Sequence, residues 1–211
     1  MADAAPSHLT LDEFLNWNPP GDTRYELIDG IVRAMAPTSG AHQIIVGALA
    51  GEIHAALRTR PGCTVRIEAS LILPNRRDTY YQADLAVTCR PHAADERSTP
   101  DPILIVEVLS PSTESHDRKV KLPDTRDFDS VQEIVLIDSQ RLYCEVHRRL
   151  DQQRWLTDLL RTPEARLRLD SPSLQSGGLD LSLWPSSTPT SPWKHESRSP
   201  VKAFALRPII R

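Results

Sequence analysis

The sequence predicts a mixed α/β (α+β) domain with core order α-β-β-β-α-β, a hairpin before it and extra antiparallel strands after it. Three observations carry that reading. Six of the nine residues in Pro102-Ile-Leu-Ile-Val-Glu-Val-Leu-Ser110 are aliphatic, as in a strand buried on both faces. Val65, Ile67, Ala69, Leu71 and Leu73 fall at every second position, the period of a strand with one buried face. Ile45, Leu49, Ile53, Ala56 and Leu57 recur every three or four residues, the stripe of an amphipathic helix.

Taken in order, residues 1–9 are expected to be disordered. Thr10-Leu-Asp-Glu13 has the form of a capping box, with Leu11, Phe14 and Leu15 as the apolar face of a short helix to about Trp17. Asn18-Pro-Pro-Gly-Asp22 stops it. Arg24–Ala34 reads as a hairpin turning at Asp29-Gly30, with Glu26 on its first strand. The helix from Ser39 to about Arg60 carries His42 at the start of its apolar stripe, where a histidine is more often a packed, hydrogen-bonded residue than a ligand. Pro61-Gly62 ends it. Strands follow at Thr64–Leu73, at Tyr80–Thr88 and, after a polar loop, at 102–110. A further helix spans about 112–122, with Pro123 expected to end or kink it. Glu133–Asp138 is another buried strand, and Arg141–His147 with Arg154–Leu160 form a terminal antiparallel set. The domain is thus expected over 10–184, with a Ser/Pro-rich, basic, flexible tail over 185–211.

Composition narrows the possibilities. No apolar run approaches the roughly 18 residues of a membrane span. The N-terminus lacks the basic and apolar regions of a signal peptide, and a cytoplasmic location is expected. Cys63, Cys89 and Cys144 show no CxxC spacing, so neither a disulfide framework nor a zinc site is expected. The net charge is −3, but residues 186–211 contribute +4 (five Lys/Arg against Glu196), which leaves −7 elsewhere. So acidic a body is a poor non-specific binder of nucleic acid, unless basic patches form locally.

Two carboxylates sit awkwardly in core strands: Asp84 among small and aliphatic neighbours, and Glu107 within the buried run. Burying either costs several kcal/mol unless a metal or a cation pairs with it. On adjacent strands they can hold one hard divalent cation. The chain runs about 10 Å beyond Glu107 and returns about 13 Å along the next helix to Lys121, which brings that lysine level with Glu107. It would there orient a water and stabilise phosphate charge. The plain alternative pairs Lys121 with Asp117 at i,i+4 on a solvated helix face.

The segments Tyr25-Glu-Leu-Ile-Asp-Gly30, Ser39-Gly-Ala-His42, Gln82-Ala-Asp-Leu-Ala-Val87, Ile105-Val-Glu-Val-Leu-Ser-Pro-Ser-Thr113 and Asp117-Arg-Lys-Val-Lys-Leu-Pro-Asp124 resemble the Uma-two family. That family lies within the PD-(D/E)XK restriction-endonuclease-like superfamily. The resemblance spans about residues 9 to 184 and implies a restriction-endonuclease-like fold. It further implies a Mg2+ site (Mn2+ as substitute) on Asp84 and Glu107, with Lys121 assisting and Glu26 an extra acid or an ordinary strand residue. DNA is the implied substrate, and a homodimer the default assembly. The chain departs from the pattern at Leu109, where the superfamily's lysine usually stands, at Ala83 in place of a proline, and at Thr125 in place of a tyrosine. Two other readings stay open: a non-catalytic interaction module that keeps the fold, and a metal-dependent hydrolase of smaller substrates.

Overall fold

The computed structural model describes residues 8–19, 21–91, 93 and 96–171, together with the backbone of 179–182. The expectations for residues 1–7, for the end of the domain at 183–184 and for the tail lie outside these residues.

Thr10 caps α1 (Leu11–Asn16) through the reciprocal box with Glu13. The hairpin forms as expected, β1 (Tyr25–Ile28) against β2 (Ile31–Ala34), with positive φ at Asp29 and Gly30 in its turn. Ser39 caps α2 (Gly40–Leu57). Then come β3 (Thr64–Ile72), β4 (Tyr80–Thr88) and β5 (Pro102–Leu109). A helical segment follows in three pieces: α3 (Glu114–His116), a π-helical turn (Asp117–Lys121) and α4 (Leu122–Thr125). Strands β6 (Glu133–Asp138), β7 (Cys144–Arg149) and β8 (Trp155–Leu160) extend the sheet. β9 (Arg166–Leu169) pairs separately with β10 (Leu179–Ser182).

The main sheet has eight strands in the order β2-β1-β4-β5-β6-β7-β8, with β3 on β4. Only β5 and β6 run parallel, because the α3–α4 segment crosses over between them. Helix α2 covers one face, packing on Leu85, Val87, Leu104, Val106 and Val108. Val120 and Leu122 of the α3–α4 segment cover the other, over Ala83, Ala86, Ile105, Leu109 and Leu136. β5 alternates between these layers, so Glu107 points with Ile105 and Leu109 toward the α3–α4 side.

Two expectations need correction. Cys63 and Cys89 are joined by a disulfide: the Thr64–Thr88 pair ends the β3–β4 ladder and brings the next two residues together. Ile67 does not share the buried face of Ala69 and Leu71 but is 57% exposed, because Glu68 takes a left-handed φ of 53° and interrupts the alternation. Of the two outcomes expected at Pro123, an end or a kink, the helix does not end there, since α4 continues to Thr125. The preceding π turn, closed by the Leu122 N–H on the Asp117 carbonyl, replaces the tight turn whose i−4 carbonyl the ring would strike. Among the described residues, no helix is long and apolar enough to cross a membrane.

Candidate active site

Tyr80 of β4 pairs with Ile72 on one edge and Leu27 on the other. β3 lines the first edge along its length, so β1 and β5 share the second. Pairing of β4 with β5 reaches only Leu85–Val106, and beyond it the strands part. The backbone groups freed at this fork must find other partners, and they find the predicted residues. The Asp84 N–H donates to Glu107 Oε2 at 3.3 Å, and the Val108 N–H donates to Asp84 Oδ2 at 2.7 Å. The Gln82 N–H donates to Glu26 Oε1 at 3.0 Å, and the Gln82 carbonyl accepts from Lys121 Nζ at 2.9 Å.

Lys121 is the hub. Its ammonium, 4% exposed as a residue, lies 2.9 Å from Glu26 Oε1, 3.0 Å from Glu107 Oε1 and 3.9 Å from Asp117 Oδ1. The i,i+4 pairing of Asp117 with Lys121 exists, but buried rather than on a solvated face, and Asp117 joins the cluster unforeseen. Tyr81 lies beneath, its ring 5.9 Å from Nζ and its hydroxyl donating to Asp124 at 2.5 Å. Thr125, where a tyrosine was expected, is buried and donates to the Leu122 carbonyl.

His42 is packed and hydrogen-bonded, as its position on the stripe suggests, but its partner is a candidate metal ligand. From the first turn of α2 its Nε2 sits 3.1 Å from Asp84 Oδ2, and the residue is buried. Its place at the head of the apolar stripe fitted packing equally well. Only the nearness of α2 to the fork distinguishes the two roles.

Charge is the strongest property of the site. Burial pushes the Glu107 carboxyl well above its ordinary range, Lys121 pulls it back, and Asp84, Asp117 and Glu26 push it further. Burial likewise raises Asp117 against the pull of Lys121. Glu26 ends the other way: burial raises it, but Lys121, His116 and the Gln82 N–H bring it down to about 2. Burial opposes the charge of Lys121, yet Glu107, Glu26 and Asp117 together raise its pKa. Thus three carboxylates (Glu26, Glu107, Asp117) converge on one buried ammonium, with Asp84 beside Glu107.

The residues fit a hard cation in one specific respect. Glu107 Oε1 is buried without a hydrogen bond, its Lys121 contact being an ion pair rather than an aligned bond. Among the described residues no three His, Cys, Asp or Glu side chains form a closed cage. Mg2+ does not need one, since it commonly takes one or two carboxylates and completes its shell with water and phosphate.

Comparison with known proteins agrees with this architecture. The Uma2 family model, described as "Putative restriction endonuclease", matches residues 11–182. The "Uncharacterized protein slr1290" of Synechocystis sp. is 29% identical over 151 residues, 70% of this chain and 78% of its own. The crystal structure of "a putative nuclease belonging to DUF820" from Anabaena variabilis shares the fold with a TM-score of 0.64 at 21% identity, over 79% of this chain and 90% of that one.

Proposed function

The chain belongs to the Uma2 family, and from that premise we propose that it is a divalent-metal-dependent endonuclease that hydrolyses DNA phosphodiester bonds. The observation that carries the proposal is the buried, unbonded Oε1 of Glu107, on the strand beside Asp84 and next to Lys121. Asp84 and Glu107 would hold Mg2+, or Mn2+ in its place. When bound, such an ion lowers the pKa of a water and neutralises phosphate charge.

The chain's own residues supply the rest. Val108 N–H and His42 hold Asp84 Oδ2, which fixes the orientation of the carboxylate. Within 3.0 Å Lys121 has three oxygens, Gln82 O, Glu26 Oε1 and Glu107 Oε1, the last as an ion pair without an aligned hydrogen bond. Once Glu107 is engaged elsewhere, Lys121 exchanges that partner for the attacking water or a phosphate oxygen. Glu26 and the Gln82 carbonyl keep the ammonium in place during this exchange. Cutting both strands of a duplex calls for two such sites, so a two-fold dimer is the proposed assembly.

The same closed set of partners on Lys121 favours a second reading, in which the network is structural and the domain only binds. Plasmid nicking separates the two. The enzyme reading expects nicking that needs Mg2+ or Mn2+ and vanishes in Asp84→Asn, while a folded wild type that never nicks supports the binding module.

A further inference from the structure

A second polar cluster lies across the α3–α4 segment from Lys121, at the β7–β8 end of the sheet. The register places His147 opposite Thr157 and Arg149 opposite Trp155 on the face that this segment covers. The neighbouring arginines are satisfied. Arg118 meets Glu114 and Glu145, and Arg149 donates to the carbonyls of Val131, Arg126 and Phe128.

Arg126 is different. A terminal nitrogen of its guanidinium meets His147 Nδ1 at 3.1 Å, while its Nε is buried without a hydrogen bond. Among the described residues no carboxylate stands within ion-pair distance. Burial, with no opposing charge, pushes its pKa down. His147 does not repel it with a full charge, because burial first and Arg126 second depress the imidazole's pKa. The imidazole's other nitrogen, Nε2, faces Glu145 at 3.1 Å. The Trp155 ring lies 5.3 Å from the Arg126 guanidinium and 4.5 Å from that of Arg149. Arg126 is thus a preoriented, half-buried cation whose charge nothing described offsets, beside an aromatic ring and an exposed hydroxyl residue, Thr157.

An arginine held this way is costly until an anion arrives. Its planar fork matches phosphate, and arginine with aromatic side chains is the pairing that tracks nucleic-acid strands. We propose that Arg126, braced by Trp155, binds a backbone phosphate of the nucleic-acid substrate outside the cleavage site. The choice of nucleic acid as the source of that phosphate rests on the nuclease reading above. Arg126 follows Lys121 by five residues, about 8 Å along a helix. It also sets a positive charge on a body whose net charge is −7.

The test is anisotropy of a labelled oligonucleotide across a salt series in metal-free buffer, using the full chain as wild type, Arg126→Gln, Arg126→Lys and Thr157→Glu. The proposal expects Arg126→Gln to weaken binding roughly tenfold and to flatten the log–log salt slope by about 0.7 to 0.9. Arg126→Lys should recover the slope. Thr157→Glu, an exposed substitution that sets a carboxylate beside Arg126, should repeat the loss with an unchanged melting curve. Salt slopes identical in wild type and Arg126→Gln would overturn the subsite, as would a wild type that does not bind. Displacement by inorganic phosphate at matched ionic strength would overturn nucleic acid as its ligand. Nicking assays on the same proteins keep the two readings apart. Nicking with an unchanged slope sinks only the subsite, and Arg126-dependent binding without nicking sinks only the nuclease.

Discussion

Nζ of Lys121 lies 3.0 Å from Oε1 of Glu107, across the fork between β4 and β5, with both side chains almost fully buried. Each needs the other. Removing the lysine leaves Glu107, Glu26 and Asp117 facing one another in a medium that solvates none of them. Lys121→Ala should therefore cost about 3–5 kcal/mol of stability, measured by urea unfolding. A loss under about 1 kcal/mol would mean that water reaches the cluster freely.

Glu26 makes the cluster pH-dependent. Its folded pKa of about 2 lies below the ordinary 4.5, so the stability it contributes is present above about pH 4.5 and lost as pH falls through about 2. The difference between wild type and Glu26→Gln should be about 3 kcal/mol at pH 7 and shrink across that window. A difference that holds constant down to pH 2 would show that Glu26 is not paired as an ion.

Much of this site is legible in the sequence because it lies in segments where local pattern is decisive. The aliphatic run around Glu107 admits only a buried strand, and a carboxylate inside it needs a partner. The position of Lys121 follows from adding strand and helix rises, which holds because the crossover is short. What escaped depends on non-local register. Cys63 and Cys89 meet only because Thr64 pairs with Thr88. His42 meets Asp84 only because the first turn of α2 lies over the fork. The exposure of Ile67 turns on one left-handed residue, Glu68, whose side chain carries no mark of it.

His42 is a positioning residue in this account, acting through Asp84. His42→Ala should lower Mg2+ or Mn2+ affinity by about 10–100-fold while leaving the melting curve nearly unchanged. His42→Gln, which keeps a donor for Asp84 Oδ2, should recover part of the affinity. Equal affinity in all three proteins would reduce His42 to packing.

The Cys63–Cys89 bridge spans 26 residues of sequence. Loop-closure entropy for that span is worth about 3.5 kcal/mol, so Cys63→Ser, or wild type under reductant, should unfold at correspondingly lower urea. Identical midpoints with and without reductant would mean that the bridge does not form in solution.

The central claim is that the fork holds a catalytic cation. Calorimetric titration of Mg2+ or Mn2+ into wild type, Asp84→Asn and Glu107→Gln, followed by plasmid nicking with each, tests it most directly. The account predicts binding and metal-dependent nicking in the wild type alone, with all three proteins folded. Absence of metal binding in a folded wild type would contradict it and leave the Lys121 network as a structural core.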